Sequence, residues 1–191
     1  MSFMETAEAL ERVTVEEYLS GELRSEVRHE FIDGSLYAMA GASEEHNTLA
    51  GNIFAALHTH IGDGPCRVFM ADMKVRLQIA RDEVFYYPDV VVTCDARDTN
   101  RYFMSYPKVL IEVLSSETER TDRREKFFSY TSIETLEEYV LVAQARREVT
   151  VFRRSAQWNP EVLSQAEHTL ELPSLQFRMP LSAIYRRVTC S

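Results

Sequence analysis

Cysteine is scarce in this chain and lysine equally so. The three cysteines, Cys66, Cys94 and Cys190, are widely spaced and odd in number, which implies neither a disulfide framework nor a zinc motif. A reducing compartment, the cytoplasm, is therefore the expected location. The N-terminal MSFMETAEALERVTVEEYL lacks the positive region and long apolar run of a secretory signal. No stretch reaches the roughly 18 apolar residues that a membrane helix needs, so no membrane partner is expected. Internal repeats, low-complexity tracts and an interdomain linker are also missing. The 191 residues are thus read as a single domain, 1–191, long enough to bury about 70% of its extended surface in one core.

Basic charge is also in short supply. Thirty acidic against 21 basic residues give a formal net charge of -9, which excludes nonspecific adhesion to nucleic acid over the whole surface. A polyanion would need a local patch, and Arg123, Arg124, Lys126, Arg146, Arg147, Arg153 and Arg154 are the candidates. An ordinary solvated face is the alternative reading of those residues.

Local patterns give the order of elements. Residues 1–11 read as a loose arm. Thr14 and Glu17 have capping-box spacing at the head of a short helix that Gly21 is expected to stop. Glu30 to Met39 reads as a hairpin about Asp33-Gly34. Ser43 caps a helix with Leu49, Ala50, Ile53, Phe54, Leu57 and Ile61 on one stripe, closed by Gly62 to Pro65. Met73, Val75 and Leu77 alternate with Asp72, Lys74 and Arg76 in a strand with one apolar and one charged face. Val84 to Val92 is a strand interrupted by Pro88, which belongs at an edge, a bulge or a strand start and would re-aim Asp89. Val109 to Leu114 is the most buried-looking strand. Asp122 and Glu125 open a short helix reaching Tyr130, two strands follow at 138–142 and 148–152, the tail from Trp158 to Leu175 looks loop-rich, and Pro180 to Arg186 forms a last helix. Helices and strands are mixed without the repeating units of a barrel.

Glu112 is the anomaly in this pattern. A carboxylate inside a run of apolar neighbours is expensive unless paired, hydrogen-bonded or metal-bound. If strand pairing brings Asp89 beside it, a divalent cation would remove the repulsion between the two anions and take their oxygens as ligands. Magnesium, with manganese as a substitute, would then polarise a phosphodiester. The alternative has Glu112 paired with an arginine and Asp89 ending its strand. Among the three lysines, Lys108 lies about 13 Å along the strand from Glu112. Lys126 starts the helix that follows and shares a face with Asp122 and Tyr130, so it is the first choice, with Lys74 second. His46 and Glu30 are further supporting candidates, Glu30 as a third acidic ligand. Glu44 or Glu45 could reach an ion through water.

Pro88-Asp89-Val90, then Val109-Leu110-Ile111-Glu112-Val113-Leu114-Ser115, then Asp122, Lys126 and Tyr130 together resemble the Uma2 family of restriction-endonuclease-like proteins. The helix entry near His46, the turn at Glu30-Phe31-Ile32-Asp33-Gly34 and the strand Glu138-Tyr139-Val140-Leu141-Val142 extend the resemblance over residues 13–155. It implies an α/β fold of the PD-(D/E)xK superfamily: a restriction-endonuclease-like mixed β-sheet core flanked by helices, here with an N-terminal hairpin extension. It also implies magnesium-dependent hydrolysis of DNA, duplex above all, and a homodimer, since many duplex-cleaving relatives act on two strands. Asp89 and Glu112 take the metal-ligand and catalytic roles. The usual basic position, two residues after the second acid, is Leu114 here, and the resemblance transfers that role to Lys126. A noncatalytic DNA-associated or protein-interaction module on the same scaffold is the alternative.

Overall fold

The computed structural model describes residues 12–115 and 122–189; the expected arm at 1–11 lies outside them. Thr14 caps α1 (Val15–Glu22) with the expected capping box, and the helix runs through Gly21 instead of stopping there. The hairpin of β1 (His29–Ile32) and β2 (Ser35–Ala38) turns at Asp33 and Gly34. Both turn residues have positive φ, 45° and 85°, as the right-handed twist of a two-residue hairpin requires. Ser43 caps α2 (Glu44–Ile61), and Gly62 ends it.

Four strands come next: β3 (Arg67–Met70), β4 (Lys74–Ile79), β5 (Asp82–Tyr86) and β6 (Val90–Thr93). The segment expected to be one strand broken by Pro88 is two strands in two sheets. A small sheet has the order β2-β1-β5-β4-β7, with β7 at Phe103–Met104. A large mixed sheet has the order β11-β10-β9-β8-β6-β3, built with β8 (Pro107–Leu114), β9 (Glu138–Ala143), β10 (Val149–Arg153) and β11 (Pro160–Leu163). The β8–β9 pair is parallel and its neighbours are antiparallel.

The ribbon β3-β4/β5-β6 therefore passes from one sheet to the other at a corner. Met70 pairs with Val90 and Val75 with Tyr86, so four residues on one side face three on the other. An extra residue of this kind bends and twists a ribbon, and Ala71 at the corner has φ 56°. Tyr87-Pro88-Asp89 is the short side of the bend, and Pro88 needs no ladder donor there.

Three apolar layers follow from strand parity. One face of the large sheet packs on Leu49, Ile53 and Leu57 of α2. Its other face meets the small sheet, Val91, Leu110 and Leu141 against Val75, Val84 and Tyr86. Between them sits α3 (Phe127–Thr131), which continues a wide helical turn at Asp122–Lys126 and touches β4 and β9. The outer face of the small sheet, Phe31 and Phe85, is closed by Tyr18 of α1.

Several expectations need correction. The tail expected to be loop-rich contains β11 and β12 (Thr169–Leu172), the latter paired with β13 (Phe177–Pro180) before α4 (Leu181–Ile184). Strand β3 was not expected either. Cys66 and Cys94 form a disulfide, where none was implied. Carrying the Arg67–Thr93 register one residue outward makes the two cysteines direct cross-strand neighbours, a relation that their separation of 28 in sequence hides. Closing a loop of that length restricts the unfolded chain by about 3–4 kcal/mol. Reduction, or replacement of both cysteines by alanine, is therefore expected to lower unfolding stability by about that amount in urea titration; an unchanged midpoint would show that the crosslink does not stabilise the sheet end.

Candidate active site

Glu112 is the sixth residue of β8, and parity turns it with Leu110 and Leu114 into the layer between the sheets, where it is 3% exposed. Its Oε1 accepts from Lys126 Nζ at 3.3 Å and from Tyr130 Oη at 3.1 Å. Lys126, itself buried, also lies 2.9 Å from Glu30 Oε1 and 5.4 Å from the centre of the Tyr86 ring. Glu30 comes from β1 of the small sheet and Glu112 from β8 of the large one. An ammonium from the connecting helical turn is thus held between a carboxylate of each sheet. Burial pushes the Tyr86 hydroxyl above its ordinary pKa, so the ring beside the ammonium stays neutral.

Asp89 stands at the corner where β6 has not yet begun. It immediately precedes Val90, the partner of Ile111, and so stands beside the Glu112–Val113 end of β8. Its Oδ2 accepts the Val113 N–H at 2.6 Å, and its Oδ1 is 2.7 Å from His46 Nε2 at the start of α2. The Asp89 carboxylate therefore lies against the Glu112–Val113 peptide and is held there from two directions.

Among the described residues, no group of three or more His, Cys, Asp or Glu side chains is drawn together as a metal cage. The donor set nevertheless suits magnesium. That ion prefers oxygen, keeps several waters, and commonly binds through one or two carboxylates plus substrate phosphate. Asp89 and Glu112 supply oxygen donors of this kind at neighbouring ends of β6 and β8.

Residues 15–182 match the model of Uma2, described as "Putative restriction endonuclease". The chain belongs to the Uma2 family. The uncharacterized protein slr1290 of Synechocystis sp. is 34% identical over 177 residues, 92% of each chain. A second from the same organism, sll1609, is 37% identical over 135 residues, 69% of this chain and 75% of the relative. The crystal structure of "a putative nuclease belonging to DUF820" from Anabaena variabilis superposes with a TM-score of 0.74 at 16% identity, covering 91% of this chain and 97% of that one. The α/β fold with a mixed sheet, flanking helices and an N-terminal helix and hairpin is thus the restriction-endonuclease-like architecture of the PD-(D/E)xK superfamily.

In this Uma2 chain, Leu114 is part of the apolar inter-sheet layer, and the ammonium comes instead from Lys126. Tyr130 joins the cluster, as its shared helical face with Lys126 suggested. The Asp122 side chain lies outside the described residues. Lys74 does not join. It sits on the opposite face of the small sheet, donating to Tyr87 Oη at 3.2 Å, and Tyr87 Oη donates to Glu22 Oε1 at 3.0 Å. Burial lowers the Lys74 pKa. Sequence reasoning missed Tyr86, Tyr87 and Glu22. The Phe-Tyr-Tyr-Pro-Asp run carried the signal, since successive residues of an extended segment face opposite sides. The expected basic patch is mostly engaged: Arg146 pairs with Glu148, Arg153 with Glu161, and Arg154 donates to the carbonyls of Leu136 and Ile133.

Removing the Lys126 ammonium leaves Glu30 and Glu112 facing each other in a dry layer. Lys126→Ala is expected to cost about 3–5 kcal/mol near neutral pH. Urea titrations of both proteins near pH 7 check this; an unchanged midpoint would contradict it.

Proposed function

We propose that this protein is a metal-dependent endonuclease that hydrolyses phosphodiester bonds of DNA, duplex above all. The observation that carries this reading is the Asp89 carboxylate held against the Glu112–Val113 peptide, with Lys126 on the Glu112 carboxylate. Asp89 and Glu112 would hold magnesium, or manganese in its place. The chemistry the ion supplies when bound is charge, which polarises the phosphodiester and offsets the negative charge gathering on its oxygens.

The remaining work falls to the protein's own side chains. His46 holds Oδ1 of Asp89 and fixes the carboxylate's orientation, while the Val113 N–H holds the other oxygen. Tyr130 does the same for Glu112. Lys126 would orient the attacking water or stabilise charge on the phosphate. Glu30, first expected as a third metal ligand, is engaged with that ammonium, and we assign it the task of holding Lys126 in place.

A second reading is a noncatalytic DNA-associated or protein-interaction module. It is favoured by the hydrogen bonds that already occupy both Asp89 oxygens and by the net charge of -9. Labelled single- and double-stranded DNA and RNA, incubated with magnesium, manganese or chelator, separate the two. The nuclease reading predicts metal-dependent cleavage of DNA that falls by about 100-fold or more in Asp89→Asn, Glu112→Gln and Lys126→Ala and persists in the exposed control Glu167→Gln. Binding without cleavage under every metal condition would support the module instead.

A further inference from the structure

Three buried polar side chains have no part in the site as described: Glu22, which ends α1, Lys74, which begins β4, and Tyr87 at the ribbon corner. They form one directed chain. The Lys74 ammonium donates to Tyr87 Oη at 3.2 Å, and that hydroxyl donates to Glu22 Oε1 at 3.0 Å. Burial pushes the hydroxyl above its ordinary pKa, so it remains a donor near neutral pH. Glu22 is itself fixed to the start of β1, taking the His29 N–H at 2.8 Å. Tyr87 is thus tied to α1 and β4 by its side chain, and its own N–H donates to Glu30 Oε1 at 3.4 Å.

Stability alone is a poor account of this arrangement. Taking an ammonium and a carboxylate out of water costs free energy that their contacts only partly return, and apolar residues of similar volume in such places are often neutral or stabilising. Apolar residues would not supply direction. A hydroxyl held between a fixed donor and a fixed acceptor has one position, whereas a phenyl ring can slide along its neighbours.

Only Pro88 separates Tyr87 from Asp89. The proline ring fixes φ near about −65°, and the residue before a proline is confined to extended conformations. This stiff dipeptide carries the position of the Tyr87 tether on to Asp89. Across the bend the Asp89 carbonyl accepts the Ala71 N–H at 3.1 Å, and its carboxylate accepts the Val113 N–H at 2.6 Å. We infer that Glu22 and Lys74, acting through the Tyr87 hydroxyl, are positioning residues for Asp89: from the opposite face of the small sheet they hold its carboxylate against the Glu112–Val113 peptide. The catalytic consequence rests on the nuclease reading, whereas the positioning itself does not.

The Val113 amide reports on the Asp89 carboxylate directly, without metal or substrate. Its hydrogen exchange in the full chain is measured against that of Val140, a fully buried residue in the middle of β9 that follows global stability. Tyr87→Phe keeps the ring and removes the tether. The combination Glu22→Gln, Lys74→Met and Tyr87→Phe also removes both charges and keeps an acceptor for the His29 N–H, so that no ion of the three is left buried without a partner. In both variants Val113 is expected to exchange about 10-fold faster or more relative to Val140, as a charge-assisted hydrogen bond loosens. Magnesium-dependent DNA cleavage should keep its KM and lose about 10- to 100-fold in kcat. An unchanged Val113-to-Val140 ratio in either variant would overturn the inference and leave the three groups as ordinary buried structure. A shifted ratio in a protein whose wild type cleaves no DNA would support the positioning role while removing the nuclease reading.

Discussion

The Lys126 ammonium joins what the backbone leaves separate. Among the described residues the two sheets share no ladder, and in the layer between them Glu30 of one and Glu112 of the other meet this cation. A buried carboxylate on each sheet would be intolerable alone, and the two together would repel. Lys126 makes them compatible, and the same contact fixes the angle at which Glu112 is presented. Stability and chemistry are therefore coupled: the group that allows the carboxylates to be buried is also the one beside the bond that the proposed reaction would break.

Asp89 depends on a different constraint, the bend of the β3-β4/β5-β6 ribbon. One extra residue on the outer side turns the chain from the small sheet into the large one, and Asp89 is the last residue of the turn. Its carboxylate replaces a strand neighbour for Val113 and reaches His46 from the far side of the large sheet. Tyr87, two residues earlier, anchors the same corner from the other face through Glu22 and Lys74. The corner is thus fixed on both faces, as a preorganised site requires.

Much of the site is legible in the sequence because each residue violates a local rule. Glu112 interrupts an apolar strand, Pro88 breaks a ladder just before Asp89, and Lys126 is one of three lysines and begins the helix after Glu112. The link from Lys126 to Glu30 is not legible, because strand parity says which residues share a face but not which faces meet. Splitting 84–92 between two sheets is hidden for the same reason: a proline in an apolar run looks alike whether the strand kinks within one sheet or passes into another. The Cys66–Cys94 crosslink depends on the register of β3, a strand of four residues whose pattern is too short to stand out. Strands β11 to β13 are similarly short, four residues each.

The central claim is that Asp89 and Glu112 bind a cation jointly. Crystals soaked in manganese, with anomalous difference density collected at the metal edge, test it directly. The account predicts one peak within ligand distance, about 2.0–2.3 Å, of an oxygen from each carboxylate, lost in crystals of Glu112→Gln. A manganese peak elsewhere with this pair unoccupied at saturating metal, or Asp89 and Glu112 each remaining engaged with their protein partners alone, would contradict it.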